Sequence, residues 1–319
     1  MAWATGTATD YLDLVRRLRD FLTTNSALVA LGQNWTQISQ AGEMGGLSPS
    51  PTAPTLAATN QIMLQGPGLA GDDEILVSLQ FSETPGSSIY NVGIRGQVAY
   101  QASVTADAQP GASSLRYMLL LNTSMKYWFI ANGRCFKVIV RAGGTYEQMY
   151  GGFILPEHLP QDWPYPLFAG ASSYTNEANS SVANSHRAYW QSYTSSSASI
   201  NANSSGVLCL PDLNFRPVAN VSSSPPTSGN IQTSWATNSR VTDIRQSLSG
   251  LPVLMQGELF TESAQLGSAF YGRFDGVFYV PAFGRVPEEV ATIDGVDYLI
   301  IPNVVYTGDA NYCAYALET

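Results

Sequence analysis

The chain is poor in charge. Only 12% of its 319 residues are Asp, Glu, Lys or Arg, whereas roughly 25% is usual in soluble proteins. Its hydrophobic content of 45% excludes wholesale disorder. Uncharged Ser, Thr, Asn, Gln and Gly therefore fill the predicted surface. This composition favours a protein docked to others over a freely diffusing enzyme, which usually carries more charge.

Positive charge is especially scarce. Lys126 and Lys137 are the only lysines, and the formal net charge is −9. Nucleic-acid binding needs clustered cations that neutralise phosphates. The one dense cluster, Arg16, Arg17 and Arg19, is interleaved with aspartates. We therefore expect no nucleic-acid partner.

Cysteine and histidine are also rare. Cys135, Cys209 and Cys313 are far apart and form no C-x-x-C pair, which predicts reduced, half-buried thiols in a protein folded in the cytosol. The only histidines, His158 and His186, are too distant in sequence to suggest a zinc site. We expect neither a metal nor a cofactor.

Long apolar runs are missing as well. The N-terminal MAWATGTATDY has neither the basic region nor the apolar core of a secretory signal. No run approaches the roughly 18 apolar residues of a membrane span. The sequence thus predicts synthesis in the cytosol, no export by the Sec route and no membrane insertion.

Catalytic motifs are not evident. The sequence has no G-x-S-x-G elbow and no phosphate-binding glycine loop. Ser185 and His186 are adjacent, which points their side chains apart. The acidic groups at 72–74 and 288–289 are typical of solvated charge, and residues 307–311 match no EF-hand spacing. We expect no enzymatic activity.

The clearest helix follows TATDYLDLVRRLRDFLTT. Thr7 or Thr9 is the expected N-cap. The apolar residues follow helical spacing along one stripe: Tyr11, Leu14, Val15, Leu18, Phe21 and Leu22. Such a stripe either covers the domain's own core or docks on a neighbour, so Leu14, Leu18 and Phe21 are interface candidates. A second short helix is predicted at Ser26–Leu31, ending at Gly32.

The remainder reads mainly as strands. Period-two patterns occur in EILVSLQF and CFKVIVRA, and Asn132-Gly133 predicts a hairpin. We expect a three-stranded meander over residues 127–155 with a second turn at 142–145. Residues 115–123 are expected to form a short helix or a strand, and we favour the helix. In the C-terminal part, Asp275-Gly276 and Asp294-Gly295 are the expected tips of two further hairpins.

These elements predict a mainly β (α+β) fold: an antiparallel β-sandwich-like body with an N-terminal amphipathic helix and long irregular insertions. The expected divisions are a helical segment at 1–39, an extended linker at 40–60 and a β region at 61–170 that ends in a proline- and aromatic-rich arm. A Ser/Asn-rich insertion loop at 171–206 and a C-terminal β region at 207–319 complete the body. One or two β domains remain possible at this point.

The arm has the sequence GGFILPEHLPQDWPYPLFAG (151–170). Its prolines exclude a central strand or a continuous helix. We interpret it as a strand end followed by a stiff segment whose aromatic residues Trp163, Tyr165 and Phe168 pack on the body or on a neighbouring subunit. His158 is then an ordinary surface residue.

The insertion loop carries Tyr189, Trp190 and Tyr193 among Ser and Asn. Aromatic residues in a polar loop are typical of an interaction surface. With Trp235, they are also candidates for stacking on sugar rings. Packing within the core or an interface is the commoner use of such rings.

Two long stretches carry a resemblance to a known group. KYWFIANGRCFKVIVRAGGTYEQMYGGFILPEHLPQDWPYPLFAGAS resembles a segment of uncharacterised virion structural proteins of tailed bacteriophages, in which a WFVANGRRF strand pair precedes a proline- and tyrosine-rich run. GVDYLIIPNVVYTGDANYCAYALET is similar to the ends of those proteins, and TATDYLDLVRRLRDFLTT to their N-terminal helix. Cys135 stands where a basic residue is common, and Val305-Tyr306-Thr307 replaces a more basic run.

The resemblance implies a non-enzymatic structural subunit of a virion, most readily of the tail or baseplate, since that group has no catalytic residues to carry over. Its partners would be copies of itself and other virion proteins, after synthesis in the host bacterial cytoplasm. The alternative is a receptor- or glycan-binding module on the virion exterior, with a host surface glycan as ligand. An enzyme acting on envelope polysaccharide ranks last.

Overall fold

A computed structural model describes residues 1–38, 61–179, 186–190, 204–218, 231–233, 253–263, 267–281, 284–304 and 312–317. Of the described residues, 50% lie in strands and 11% in helical segments, and the sheets are antiparallel with an N-terminal helix beside them. The predicted mainly β class is therefore confirmed.

The helices and strands of the described residues follow in chain order. The helices are α1 (Tyr11–Thr24) and α2 (Ser26–Ala30). The strands are β1 (Ala2–Ala8), β2 (Thr36–Ile38), β3 (Gln61–Gly66), β4 (Ile75–Thr84), β5 (Ile89–Gln97), β6 (Arg116–Met118), β7 (Met125–Ala131), β8 (Cys135–Ala142), β9 (Thr145–Phe153), β10 (Leu155–Pro156), β11 (Leu167–Gly170), β12 (Gly206–Cys209), β13 (Phe215–Pro217), β14 (Ile231–Thr233), β15 (Met255–Ser263), β16 (Gly267–Val280), β17 (Val290–Ile293), β18 (Val296–Pro302) and β19 (Tyr312–Ala316).

The strands form three sheets. The central sheet has the order β1-β7-β8-β9-β11-β12-β13. The N-terminal sheet has the order β2-β3-β4-β5-β6, and the C-terminal sheet the order β14-β15-β16-β19-β18-β17, with β10 paired to β16. The N-terminal sheet and α1 pack on one face of the central sheet, and the C-terminal sheet packs on the other. The body is thus a β-sandwich of three layers.

Both faces of the central sheet are covered, and this explains its apolar sequence. In β7, Phe129 and Ala131 enter the core beneath the N-terminal sheet, whereas Trp128 and Ile130 enter the core beneath the C-terminal sheet. A strand covered on one face alternates apolar and polar residues, but a strand covered on both faces needs apolar residues throughout. The continuous run YWFIA is the result.

Helix α1 is confirmed, with a different cap from the one expected. Asp10, rather than Thr7 or Thr9, is the N-cap, and its carboxylate accepts from the Asp13 N–H. Asp13 in turn pairs with Arg17 at 2.7 Å. Burial alone would raise the pKa of Asp13, but the hydrogen bond from Arg17 and the Thr9 N–H hold it below its ordinary value.

The predicted meander is confirmed as β7, β8 and β9. Its first turn depends on a side chain, because Asn132 Oδ1 accepts the N–H groups of Arg134 and Cys135. The second turn has Gly143 at φ +64°. The hairpin at Asp294-Gly295 is confirmed between β17 and β18, with both residues at positive φ. α2 also ends as expected, before Gly32.

Three expectations are wrong. The segment 1–39 is not only helical, because Ala2–Ala8 pairs with β7 along its whole length. The predicted helix at 115–123 contains strand β6, whose Tyr117 also bridges to Ser173. Asp275-Gly276 is not a hairpin tip, since β16 runs continuously through it. The β15 register instead jumps there, which produces a bulge at 274–277.

The proline-rich segment crosses from the central sheet to the C-terminal sheet and back. After β9, Leu155 and Pro156 pair with Arg273 and Gly272 of the C-terminal sheet. The chain then returns as β11, which pairs with β9 in the central sheet. The prolines lie where the chain leaves one sheet for another, so their missing N–H groups interrupt no ladder. The predicted linker at 40–60 lies outside the described residues.

Candidate functional site

The aromatic residues predicted to contact a partner lie in the chain's own core. The ring centres of Phe168 and Tyr189 lie 5.9 Å apart, and both rings contact Phe274. Trp163 and Trp190 are each 1% exposed, which leaves no ring surface for a partner. Tyr193 and Trp235 lie outside the described residues. Tyr189 and Trp190 of the insertion loop are therefore core residues, and their rings are too buried to stack on a sugar.

Trp163 and Tyr165 attach the crossing segment, residues 157–166 between β10 and β11, to the body. The Trp163 indole donates to the Cys209 carbonyl at 3.0 Å. The Tyr165 hydroxyl accepts from the Leu76 N–H at 3.0 Å and donates to the Gln97 carbonyl at 2.7 Å. Burial raises the pKa of Tyr165. The segment was expected to pack on the body or on a neighbouring subunit, and in the structure it packs on the body.

The apolar stripe of α1 is buried in the same way. Leu14, Leu18 and Phe21 belong to the core between the helix and the central sheet, and Phe21 contacts Phe129 with ring centres 5.8 Å apart. His158 is exposed, as expected, with its Nε2 at 3.1 Å from the Phe270 carbonyl. An interface must therefore be sought among other residues.

The most unusual chemistry is an acid–base pair inside the body. His186 Nε2 lies 2.6 Å from Glu147 Oε1, and both side chains are 0% exposed. Burial acts to lower the pKa of His186, but the charge of Glu147 and its hydrogen bond outweigh burial and raise it above its ordinary value. The pair is therefore a buried ion pair over the lower part of the neutral range.

Glu147 is saturated with further donors. Its Oε2 accepts from the Leu119 N–H at 3.0 Å, and its Oε1 accepts from the Thr145 hydroxyl at 3.0 Å and from Asn179 Nδ2 at 3.2 Å. A carboxylate held by this many donors is fixed in place, and buried charge is tolerated only with such compensation. The arrangement orients His186 but leaves no free oxygen for a substrate.

The neighbouring residue of β9, Gln148, forms a second buried network. Its Oε1 accepts from the Trp190 indole at 2.7 Å and from the Tyr315 hydroxyl at 2.6 Å. Its Nε2 donates to the Pro302 carbonyl at 2.9 Å. Together with Glu147–His186, these bonds fix residues 186–190 between the central and C-terminal sheets.

A third polar centre surrounds the bulge of β16. Asp275 accepts from Asn132 Nδ2 at 3.0 Å. Burial alone would raise the pKa of Asp275, but the charge of the fully buried Lys137 and this hydrogen bond lower it. The bulge thus aims Asp275 inward toward Lys137, which explains why a turn-forming Asp-Gly pair lies within a continuous strand.

These centres are closed to substrate. Glu147, His186, Gln148 and Lys137 have no exposed surface, so a general base or nucleophile among them has nothing to act on. Within the described residues, no group of three His, Cys, Asp or Glu side chains is placed to hold a metal ion. No helix of the described part is long and apolar enough to cross a membrane.

The open edge of the central sheet is the most distinctive exposed feature. β1 pairs with β7 on one side only, and among the described residues no strand pairs with its other side. Its seven residues, AWATGTA, include no charge and no proline. Proteins usually protect such edges with lysine, proline or a bulge, and β1 has none of these.

An exposed aromatic side chain lies on this edge strand, since Trp3 of β1 is 42% exposed. A cleft of about 560 Å³ lies along the start of β1, between the residues 25–27 that begin α2 and the Gly295-Val296 turn of the C-terminal sheet. The outer layers therefore flank the open edge without covering it.

Sequence reasoning missed both the buried pair and the open edge. Glu147 and His186 are separated by 39 residues and match no motif. β1 lacks the alternation of bulky residues that identifies strands. Its uncharged sequence, AWATGTA, is compatible with an edge strand but does not by itself predict one. Comparison of the sequence with protein-family models and with curated proteins finds no match.

Proposed function

We propose that the chain is a non-enzymatic structural subunit of a tailed-bacteriophage virion, most readily of the tail or baseplate, that acts through contacts between subunits. The resemblance of its meander, its C-terminal strands and its N-terminal helix to such proteins supports this assignment. The three-layer body, fixed internally by buried polar networks, is consistent with a static building block.

The observation that carries the proposal is the uncovered edge of β1. Unpaired backbone N–H and C=O groups in a row form a template for another strand. Trp3 adds exposed aromatic surface at this edge, and aromatic residues are enriched where proteins meet. Such an edge suits a subunit that assembles by pairing strands.

A second copy of the chain is the occupant that fits β1 best. In an antiparallel pair over Ala2–Ala8, Thr5 faces Thr5, Trp3 faces Thr7 and Ala2 faces Ala8. No like charges meet in this register, because the strand carries none. Pairing would join the central sheets of two subunits through an isologous contact.

Peptide mass spectrometry of purified virions tests the assignment. We expect the chain in gradient-purified particles at several copies per particle, retained after a high-salt wash. A scaffolding or host-takeover protein of the same phage serves as the control for contamination. Absence of the chain from particles that remain infectious would overturn the proposal.

A further inference from the structure

Arg116 is buried between two layers, and no acidic side chain of the described residues pairs with it. It lies in β6 opposite Ile94 of β5, so its side chain points to the same face as Ile94, toward the central sheet. Arg116 is only 4% exposed. Arginine is among the residues least often buried unless it is paired.

The guanidinium is only partly satisfied. One terminal nitrogen, Nη1, donates to Ser114 Oγ at 2.9 Å and to the Leu115 carbonyl at 2.8 Å. Its Nε is buried and has no hydrogen-bond partner among the described residues. Burial lowers the pKa of Arg116 to about 10, and the charge of the Tyr117 hydroxyl opposes this effect.

A polar cleft lies beside Arg116. It measures about 270 Å³ and lies between the loop before β6 and the β12–β13 edge of the central sheet. Ser113, Ser114 and Asn214 line it beside Arg116. Because Ser114 Oγ accepts from Arg116, its own hydroxyl proton points elsewhere and is available to a ligand.

A buried cation without a counter-ion is costly, and an anion entering from the cleft would remove that cost. We propose that Arg116 and Ser114 form a binding site for an oxyanion, a carboxylate or phosphate group. The planar guanidinium presents two parallel N–H donors to such a group, and the serine hydroxyl supplies a further donor. The cleft admits the anionic group itself and a short portion of the molecule that carries it.

This site is independent of the proposed virion role, since it lies at the β12–β13 end of the central sheet and β1 lies at the other end. The test therefore uses the purified full chain and no particle. Inorganic phosphate and acetate are the probes, which separates a phosphate site from a carboxylate site. Sodium chloride at equal ionic strength provides the reference.

We expect phosphate or acetate to raise the unfolding temperature along a saturable curve, as linkage requires for a ligand of the folded state. Arg116→Met should bind the same anion about 10- to 100-fold more weakly, because charge-assisted hydrogen bonds are lost. In chloride alone it should be no less stable than the parent. Arg141→Met, which removes an exposed arginine of β8 paired with Glu288, is the matched control and should keep the response.

Phosphate also stabilises many proteins without binding them. An equal shift in the parent and in Arg116→Met would therefore overturn the proposal, as would no shift with either anion. Should Arg116→Met fail to fold, Ser114→Ala tests the same site by titration calorimetry. We expect weaker binding of the anion by Ser114→Ala, and an unchanged affinity would contradict the assignment.

Discussion

His186 Nε2 and Glu147 Oε1 lie 2.6 Å apart with both side chains fully buried, although 39 residues separate them in the chain. This pair ties the segment 186–190 to β9 of the central sheet. The adjacent bonds from Trp190 and Tyr315 to Gln148 complete the attachment. A segment that reads as a polar loop is thus part of the core.

Removing one partner of this pair should destabilise the fold strongly. Glu147→Gln leaves His186 without its counter-charge and should cost about 3–5 kcal/mol in the free energy of unfolding. The measurement is denaturant unfolding followed by tryptophan fluorescence. His158→Gln, at the exposed histidine, is the matched control and should change stability by less than about 0.5 kcal/mol. Equal effects at the two sites would contradict a structural role for the buried pair.

The pair should also make stability depend on pH. The pKa of His186 is raised above 6.5 in the folded chain, so the unfolded state loses its proton first as the pH increases. The stabilisation is fully present below about pH 6.5 and is lost as pH rises through the folded-state pKa. Glu147 from β9 and Glu177 from the loop after β11 are the charges that act on it.

We therefore expect the difference in unfolding free energy between the parent and His186→Gln to be larger near about pH 6 than near about pH 9. Equilibrium unfolding of both proteins across this range measures it. A difference that stays constant with pH would show that His186 carries the same charge in the folded and unfolded states.

The crossing segment should matter for folding. Trp163→Ala removes a buried ring and its bond to Cys209, and should cost about 3–5 kcal/mol. Tyr165→Phe loses only the hydroxyl bonds to Leu76 and Gln97 and should cost about 1–3 kcal/mol. Thermal unfolding of the two variants tests whether Trp163→Ala is the more destabilising substitution. Leu159→Ala, at a side chain that is 59% exposed, should be nearly neutral, and a Trp163→Ala protein as stable as Leu159→Ala would refute this packing.

Gly152 should tolerate no side chain. Its φ is +129°, and a Cβ would overlap the Arg134 carbonyl oxygen and the Cys135 backbone. Gly152→Ala should therefore yield little soluble protein or a markedly lower unfolding temperature. Gly144→Ala, where nothing lies within 4 Å of the added carbon, is the control. Similar yields and unfolding temperatures for the two variants would argue against the close approach of β8 and β9.

Local signals in the sequence predicted much of the fold. The stripe of α1 and the turns at Asn132-Gly133 and Asp294-Gly295 involve neighbours in the chain, and each was identified correctly. β1 and β6 were missed because they depend on distant partners. β1 is held by β7, and Tyr117 of β6 also bridges to Ser173. Tertiary pairing overrides local propensity in such short strands.

The candidate site was harder to predict for the same reason. Trp163, Phe168 and Tyr189 were recognised as rings that need burial, but the sequence does not say whether the chain or a partner buries them. Asp275-Gly276 carries a turn signal that the fold uses for a bulge instead of a hairpin. Arg116 has no neighbouring acid in sequence or in the described structure, and only the structure shows that it is buried.

Sedimentation velocity of two charge variants at Thr5 tests whether the chain assembles through β1. In the proposed pairing of two β1 edges, Thr5 faces its own copy, so Thr5→Lys and Thr5→Glu should each place like charges opposite one another and abolish self-association. An equimolar mixture of the two variants should restore it through opposite charges. We expect an associated parent, two monomeric variants and an associated mixture. A monomeric parent, or variants that associate as the parent does, would contradict assembly through β1.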